Sequence, residues 1–182
     1  MKITWSKLLF QQKYTESELT IFEFLSKNEL FQNLSYQELS LFTSYIYTRQ
    51  YQKHEVVFFR NDPSRALYLI KKGIVALSLD MQTNFEVFTH LTEYKALGIS
   101  ALLANTRRTY NAIVESEECE LIVIPQVNIF DIFKQNPIIK AKMLEALSQI
   151  YHFNTSLFLK KYRLTQGFFE ITDLYKEWKH GE

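Results

Sequence analysis

The chain has 182 residues with 21 Lys and Arg against 20 Asp and Glu, a formal net charge of +1 that offers no electrostatic footprint for nucleic acid. It is 47% hydrophobic, with 15 Phe and 11 Tyr but only 4 Gly and 3 Pro, so it can fill a core and leaves little for linkers or disorder. A single cysteine, Cys119, excludes an internal disulfide and any multi-cysteine metal site, and no stretch reaches the roughly 20 apolar residues of a membrane span. The opening MKITWSKLLFQQKY is too short an apolar run for a signal peptide, and a cytoplasmic protein is expected. Length and composition suit one domain of about 130 residues with helical extensions.

In chain order, Thr15-Glu16-Ser17-Glu18 has the form of a capping box, and Leu19, Phe22 and Leu25 come after it at helical spacing. A second box, Ser35-Tyr36-Gln37-Glu38, opens a helix expected to carry Leu39, Phe42 and Ile46 on one face. Between them, Leu30–Leu34 reads as a bend whose apolar residues pack on the domain. From Gln52 the period changes to that of strands. KHEVVFF is broken by Asn61–Ser64, and the pattern resumes at Ala66–Ile70, turns at Lys72-Gly73, and runs on through Ile74–Leu79. After a break at Asp80–Asn84 come Phe85–Leu91, then Tyr110–Val114 and Glu120–Ile124, separated by the charged turn Glu115–Glu118. Short strands at this spacing predict an antiparallel sandwich or roll.

Past Pro125 the helical period returns. Ile129, Ile132 and Phe133 share a face, and Asn136-Pro137 has the preferences of a helix start. Met143, Leu147, Ile150, Asn154, Leu157, Lys161 and Leu164 then alternate in spacings of four and three, a heptad-like seam with one polar Asn. Such a seam either pairs with a second copy of itself or packs back on its own body. Phe168–Trp178 reads as a terminal helix.

One segment carries the chemistry. Leu97–Thr109, LGISALLANTRRT, reads as a tight turn at Gly98, a helical turn over Ser100–Leu103 and a polar loop ending in Arg107 and Arg108. The N–H groups at a helix start lack intrahelical partners and favour an anion, onto which an arginine from the next loop can fork. Elsewhere the chemistry is sparse. His54, His90, His152 and His180 lack metal-ligand spacing, and Cys119 falls in an interior strand as a small core residue. The carboxylates Glu115, Glu117, Glu118 and Glu120 read as a solvated turn. No Walker loop, nucleophile elbow or kinase signature is present, so no enzyme is expected.

Helices, a strand-rich roll interrupted by a short helix and loop, then a long helix: this order resembles the cyclic nucleotide-binding domain, the family of catabolite-activator-type regulators and protein kinase A regulatory subunits. The family pattern G-E-x-I-F-x-x-G-D is matched by His54-Glu55-Val56-Val57-Phe58-Phe59-Arg60-Asn61-Asp62. Its L-Y-x-I-x-x-G-x-V is matched by Leu67-Tyr68-Leu69-Ile70-Lys71-Lys72-Gly73-Ile74-Val75. Cys119–Ile124 looks like the last strand and Phe130–Pro137 like the start of the closing helices. The resemblance covers residues 28–150, with helical extensions at 1–27 and 151–182. It implies an α+β, mainly β fold: an antiparallel β-roll, or jelly roll, with flanking N- and C-terminal helices.

The resemblance also implies a phosphate cassette at Gly98, Ile99, Ser100, Ala101 and Leu102, with Arg108 on the phosphate, Arg107 as its neighbour and Thr109 beside it. The sequence departs from the family at several points. Ile99 replaces the glutamate that accepts the ribose 2′-hydroxyl, a loss of roughly 1.5–3 kcal/mol. Tyr110 stands where a small residue is usual, one residue is inserted before Ala112, and Tyr94-Lys95 replaces Gly-Asp. Two readings compete. In one, the chain is a regulatory module that senses a cyclic nucleotide or another small anion and relays it through Phe130–Leu164 to a partner or twin subunit. In the other, the pocket is degenerate and the chain is a ligand-free scaffold for dimerisation or protein docking. The stretch after the long helix, with Lys160-Lys161-Tyr162-Arg163 as its basic cluster, is too short for a recognition module, and neither direct DNA binding nor a tightly held cofactor is expected.

Overall fold

The computed structural model describes residues 14–81 and 84–165. Both capping boxes form. Thr15 accepts from the Glu18 amide while the Glu18 carboxylate accepts from the Thr15 amide, opening α1 (Glu16–Ser26). Ser35 and Glu38 repeat the exchange at the start of α2 (Tyr36–Thr43). Each box satisfies amides that a helix start otherwise leaves unpaired. Phe22, Leu25, Leu30, Phe31, Leu39 and Phe42 are all buried, so the two helices and the bend between them share one apolar surface.

Eight strands come next, in two antiparallel four-stranded sheets. They are β1 (Tyr47–Gln52), β2 (Val56–Phe58), β3 (Ala66–Lys72), β4 (Val75–Met81), β5 (Asn84–Leu91), β6 (Ala96–Leu97), β7 (Asn111–Val114) and β8 (Glu118–Pro125). One sheet has the order β1-β8-β3-β6 and the other β2-β7-β4-β5. Their inner faces meet in a core that includes Tyr51, Ile70, Leu77, Leu97, Val114 and Leu121. Cys119 belongs to the same core, where burial pushes its thiol up to about 11. The expected mainly-β roll with flanking helices is the architecture observed.

Several boundaries differ from those expected, each for a local reason. Helix α2 ends at Thr43, because Tyr45 and Ile46 turn back onto the Phe42 and Thr43 carbonyls, so Ile46 leaves the helical face. Strand β1 escapes the sequence pattern because five of its six residues are exposed and only Tyr51 is buried. Only Val56–Phe58 of KHEVVFF is strand: His54 takes a left-handed backbone (φ 68°) in the turn that separates β1 from β2. Strands β4 and β5 extend to Met81 and from Asn84, into the expected break. Glu118 and Glu120 lie on β8 and pair with Lys72 (3.2 Å) and Lys71 (2.7 Å), while Glu117 pairs with Lys53 (2.6 Å) and Glu115 with His90 (2.6 Å). The carboxylate turn is thus spread over four partners.

Helix α3 (Gln126–Gln135) buries Ile129, Ile132 and Phe133, the face its spacing predicts. Helix α4 runs from Pro137 to Thr165. The described residues divide into two compact units, one ending at Ala146 and the other beginning at Leu147. Along the seam, Met143 and Leu147 are buried, Ile150 is half-buried, and Asn154, Leu157, Lys161 and Leu164 are exposed. Phe168–Trp178 and His180 lie outside the described residues. No described helix is long and apolar enough to cross a membrane.

Candidate functional site

The site grows from a backbone zipper between the loop after β2 and the segment before β7. Asn61 N–H donates to the Arg108 carbonyl (2.8 Å), Arg108 N–H to the Asp62 carbonyl (2.8 Å) and Ser64 N–H to the Thr106 carbonyl (3.0 Å), with a bridge between Pro63 and Arg107. Successive residues of an extended segment face opposite ways. Arg107 is therefore exposed, its Nη1 donating to the Asn61 carbonyl (2.7 Å), and Arg108 turns inward, 3% exposed. Thr109 alternates outward again and is exposed.

Arg108 spends its fork on the protein itself. Nη1 donates to the Gly98 carbonyl (2.8 Å) and Nη2 to the Ala66 carbonyl (2.6 Å), while Nε is buried without a partner. The guanidinium lies over Phe58, 4.3 Å from the ring centroid, and 5.7 Å from that of Tyr68. Its face is thus held by aromatic quadrupoles in the absence of any carboxylate ion pair among the described residues. Burial pushes its pKa below the ordinary value, opposed by the Tyr68 and Tyr110 phenols and by Asp62. Guanidinium basicity is high enough that the group stays charged.

Gly98 is required twice over. Its φ of 68° is left-handed, and a Cβ there would run into Arg108 Nη1 and stand 2.9 Å from Cζ. The expected helical turn over Ser100–Leu103 is a 3₁₀ helix one residue earlier, Ile99–Leu102, because Leu103 is already extended. Ala101 and Leu102 are buried, while Ile99 and Ser100 are half-buried. Ser100 Oγ shares a hydrogen bond with Ser64 Oγ (2.8 Å), and its carbonyl accepts from Thr106 Oγ1 (2.7 Å).

Two of the amides expected to face an anion are engaged within the protein. Gly98 N–H donates to the Tyr110 phenol (3.1 Å) and Ala101 N–H to the Gly98 carbonyl (3.0 Å). Tyr110 packs on Phe58 (5.7 Å between centroids) and on Phe88 (6.1 Å), so an aromatic row leads from the guanidinium to the half-exposed Phe88. Gly98, Ile99, Ser100, Ala101, Leu102 and Arg108 are thus brought together, and Arg107 and Thr109 face away from them.

Two parts of the site escape a reading of the sequence. The Phe58 and Tyr68 rings that hold Arg108 sit in the very motifs of the resemblance, where nothing in the sequence ties them to the arginine. Gln126 donates from Nε2 to the Ala101 (2.9 Å) and Leu103 (3.0 Å) carbonyls, and the only trace of this is a polar residue opening an apolar helix. The turn before β6 is anchored as well. Tyr94 has a φ of 67°, its carbonyl accepts from Asn28 Nδ2 (2.6 Å), and Lys95 pairs with Glu29. Among the described residues, no group of three or more His, Cys, Asp or Glu is placed to hold a metal ion.

Residues 48–136 match the family model described as the cyclic nucleotide-binding domain. A global nitrogen regulator of Nostoc sp. (strain PCC 7120) is 29% identical over 101 residues, a match spanning 54% of this chain and 45% of the regulator. The chain therefore spans about half the length of that curated relative. Among solved structures, the Thermus thermophilus catabolite activator protein is 22% identical with a TM-score of 0.61, covering 75% of this chain and 64% of its own. The regulatory domain of Toxoplasma gondii PKA, crystallised with cAMP, is 19% identical with a TM-score of 0.60, covering 66% and 46%. By sequence over residues 48–136, and by the two-sheet roll that positions Arg108 against Gly98, this chain is similar to the cyclic nucleotide-binding domains of regulatory proteins.

Proposed function

We propose that the chain is a non-enzymatic regulatory module in which a cyclic nucleotide or another small anion engages Arg108 beside the Gly98–Leu102 turn, and that α3 and α4 relay the event. The observation that carries this reading is the guanidinium itself. It is buried, it has no carboxylate paired with it among the described residues, and its Nε is unused. A buried charge without a counter-ion is costly, and an oxyanion that takes the fork and Nε together removes that cost. Ile99 has no acceptor to offer a ribose hydroxyl, which favours small anions over a tightly held nucleotide. The sensing module is residues 28–150, between extensions at 1–27 and 151–182.

A second reading has its own observation. Arg108 Nη1 and Nη2 and the Gly98 amide are all satisfied internally, by Gly98, Ala66 and Tyr110, as expected of a ligand-free scaffold. Calorimetry with cyclic AMP and cyclic GMP, on wild type and Arg108→Lys, separates the two. Arg108→Lys keeps the charge and loses the fork, so a genuine anion site loses about tenfold or more in affinity. Absence of heat with either nucleotide at millimolar concentration supports the scaffold. In either reading α4 pairs with a second copy along Asn154–Leu164, and sedimentation showing only monomer at high concentration removes that element.

A further inference from the structure

The 3₁₀ helix is gripped from both ends by two side chains that are distant in sequence. At its start, Arg108 Nη1 and the Ala101 amide converge on the Gly98 carbonyl (2.8 and 3.0 Å). At its end, Gln126 Nε2 donates to the carbonyls of Ala101 (2.9 Å) and Leu103 (3.0 Å). The same two residues also anchor on successive carbonyls at the entry to β3. Arg108 Nη2 donates to Ala66 (2.6 Å) and the Gln126 backbone N–H to Arg65 (2.8 Å). A closed circuit results: Arg108, Gly98, Ala101, Gln126, Arg65, Ala66 and back to Arg108. Gln126 is the first residue of α3, whose Ile129, Ile132 and Phe133 are buried.

From this circuit we infer that Gln126 is the positioning residue through which the state of Arg108 reaches α3. When the guanidinium leaves the Gly98 and Ala66 carbonyls, the start of the 3₁₀ helix loses its clamp, and the helix remains tied to α3 by Gln126. A shift of the helix must then either carry α3 with it or break two hydrogen bonds. With no donor at position 126, the helix readjusts alone. The inference deepens the proposed function and rests on it only for what disturbs Arg108, because the circuit itself is complete without a ligand. A cycle of substitutions at Arg108 and Gln126 measures this coupling directly.

Hydrogen exchange on the full chain tests the inference without a ligand. Arg108→Lys imitates release of the fork, and Gln126→Met removes the donor at similar length. Arg108→Lys alone is expected to speed exchange over Ile129–Phe133 about tenfold, and in the Gln126→Met background by less than about twofold. Equal effects of Arg108→Lys in both backgrounds, or unchanged exchange in α3, overturn the inference. Should Arg108→Lys fail to fold, the ¹⁵Nε signal of Arg108 in Gln126→Met gives a second readout. A displaced signal supports the circuit and an unmoved one refutes it. Coupled exchange in a protein that gives no calorimetric heat refutes the anion and upholds Gln126; heat with uncoupled exchange refutes Gln126 alone.

Discussion

Two glycine turns border strand β3 and the 3₁₀ helix of this roll, and they need glycine for different reasons. At Gly73, between β3 and β4, φ is 99°, and an added Cβ would stand 2.6 Å from Ser116 Oγ, 2.7 Å from the Glu118 carbonyl and 2.9 Å from Cys119 Cα. Two of those three atoms are backbone at the start of β8, which cannot step aside. At Gly98, φ is 68° and the nearest obstacle is the Arg108 guanidinium, the far end of a flexible side chain, with the Ala66 carbonyl at 3.3 Å. The first glycine therefore serves the architecture, and the second keeps a charged group seated. One residue type with one sign of φ thus has two settings, a rigid wall and a movable charge.

The sharpest test of that contrast is Gly73→Ala. Left-handed backbone and an unyielding wall together predict a loss of about 3 kcal/mol, read as a lower urea midpoint at unchanged slope. A loss under about 1 kcal/mol would show that the start of β8 yields after all. Gly98→Ala is expected to cost less, about 2 kcal/mol, and to depend on its neighbour. In an Arg108→Met background only the backbone part, about 1 kcal/mol, should remain. Strict additivity in that cycle would mean the guanidinium is not the reason for the glycine. Smallest of all is Tyr110→Phe, which withdraws the acceptor from the Gly98 amide and leaves the ring on Phe58 and Phe88. A loss of about 1 kcal/mol is expected by denaturation, and a neutral result would mean that the phenol does not hold the turn.

The contrast also explains how legible each region was. Gly73 could be read directly, since a Lys-Gly pair between two apolar alternating runs is a turn on local grounds alone. The capping boxes at Thr15 and Ser35 were legible for the same reason, as each is a contact over three residues. Strand β1 was hidden because an edge strand with a single buried side chain carries almost no period. Strand β6, two residues long, has no periodicity to detect. At the site, Gly98 and the Arg107-Arg108 pair could be picked out locally, and only the resemblance put Arg108 on the phosphate. That Arg108 lies against Phe58, and that Tyr110 occupies the glycine's amide, depended on rings brought together from three separate strands or their flanks.

Local periodicity, caps and turn residues, each a matter of a few neighbouring side chains, were enough to determine the helices, most of the strands and the class of fold. The choice between two adjacent guanidiniums was made elsewhere. Arg107 and Arg108 are chemically identical, and the inward one is whichever the backbone zipper with Asn61–Ser64 turns toward the core. Its acceptors, the carbonyls of Gly98 and Ala66, lie 10 and 42 residues away along the chain. Hydrogen bonds over that separation exist only once both sheets have packed, so tertiary structure alone decides what the buried charge holds.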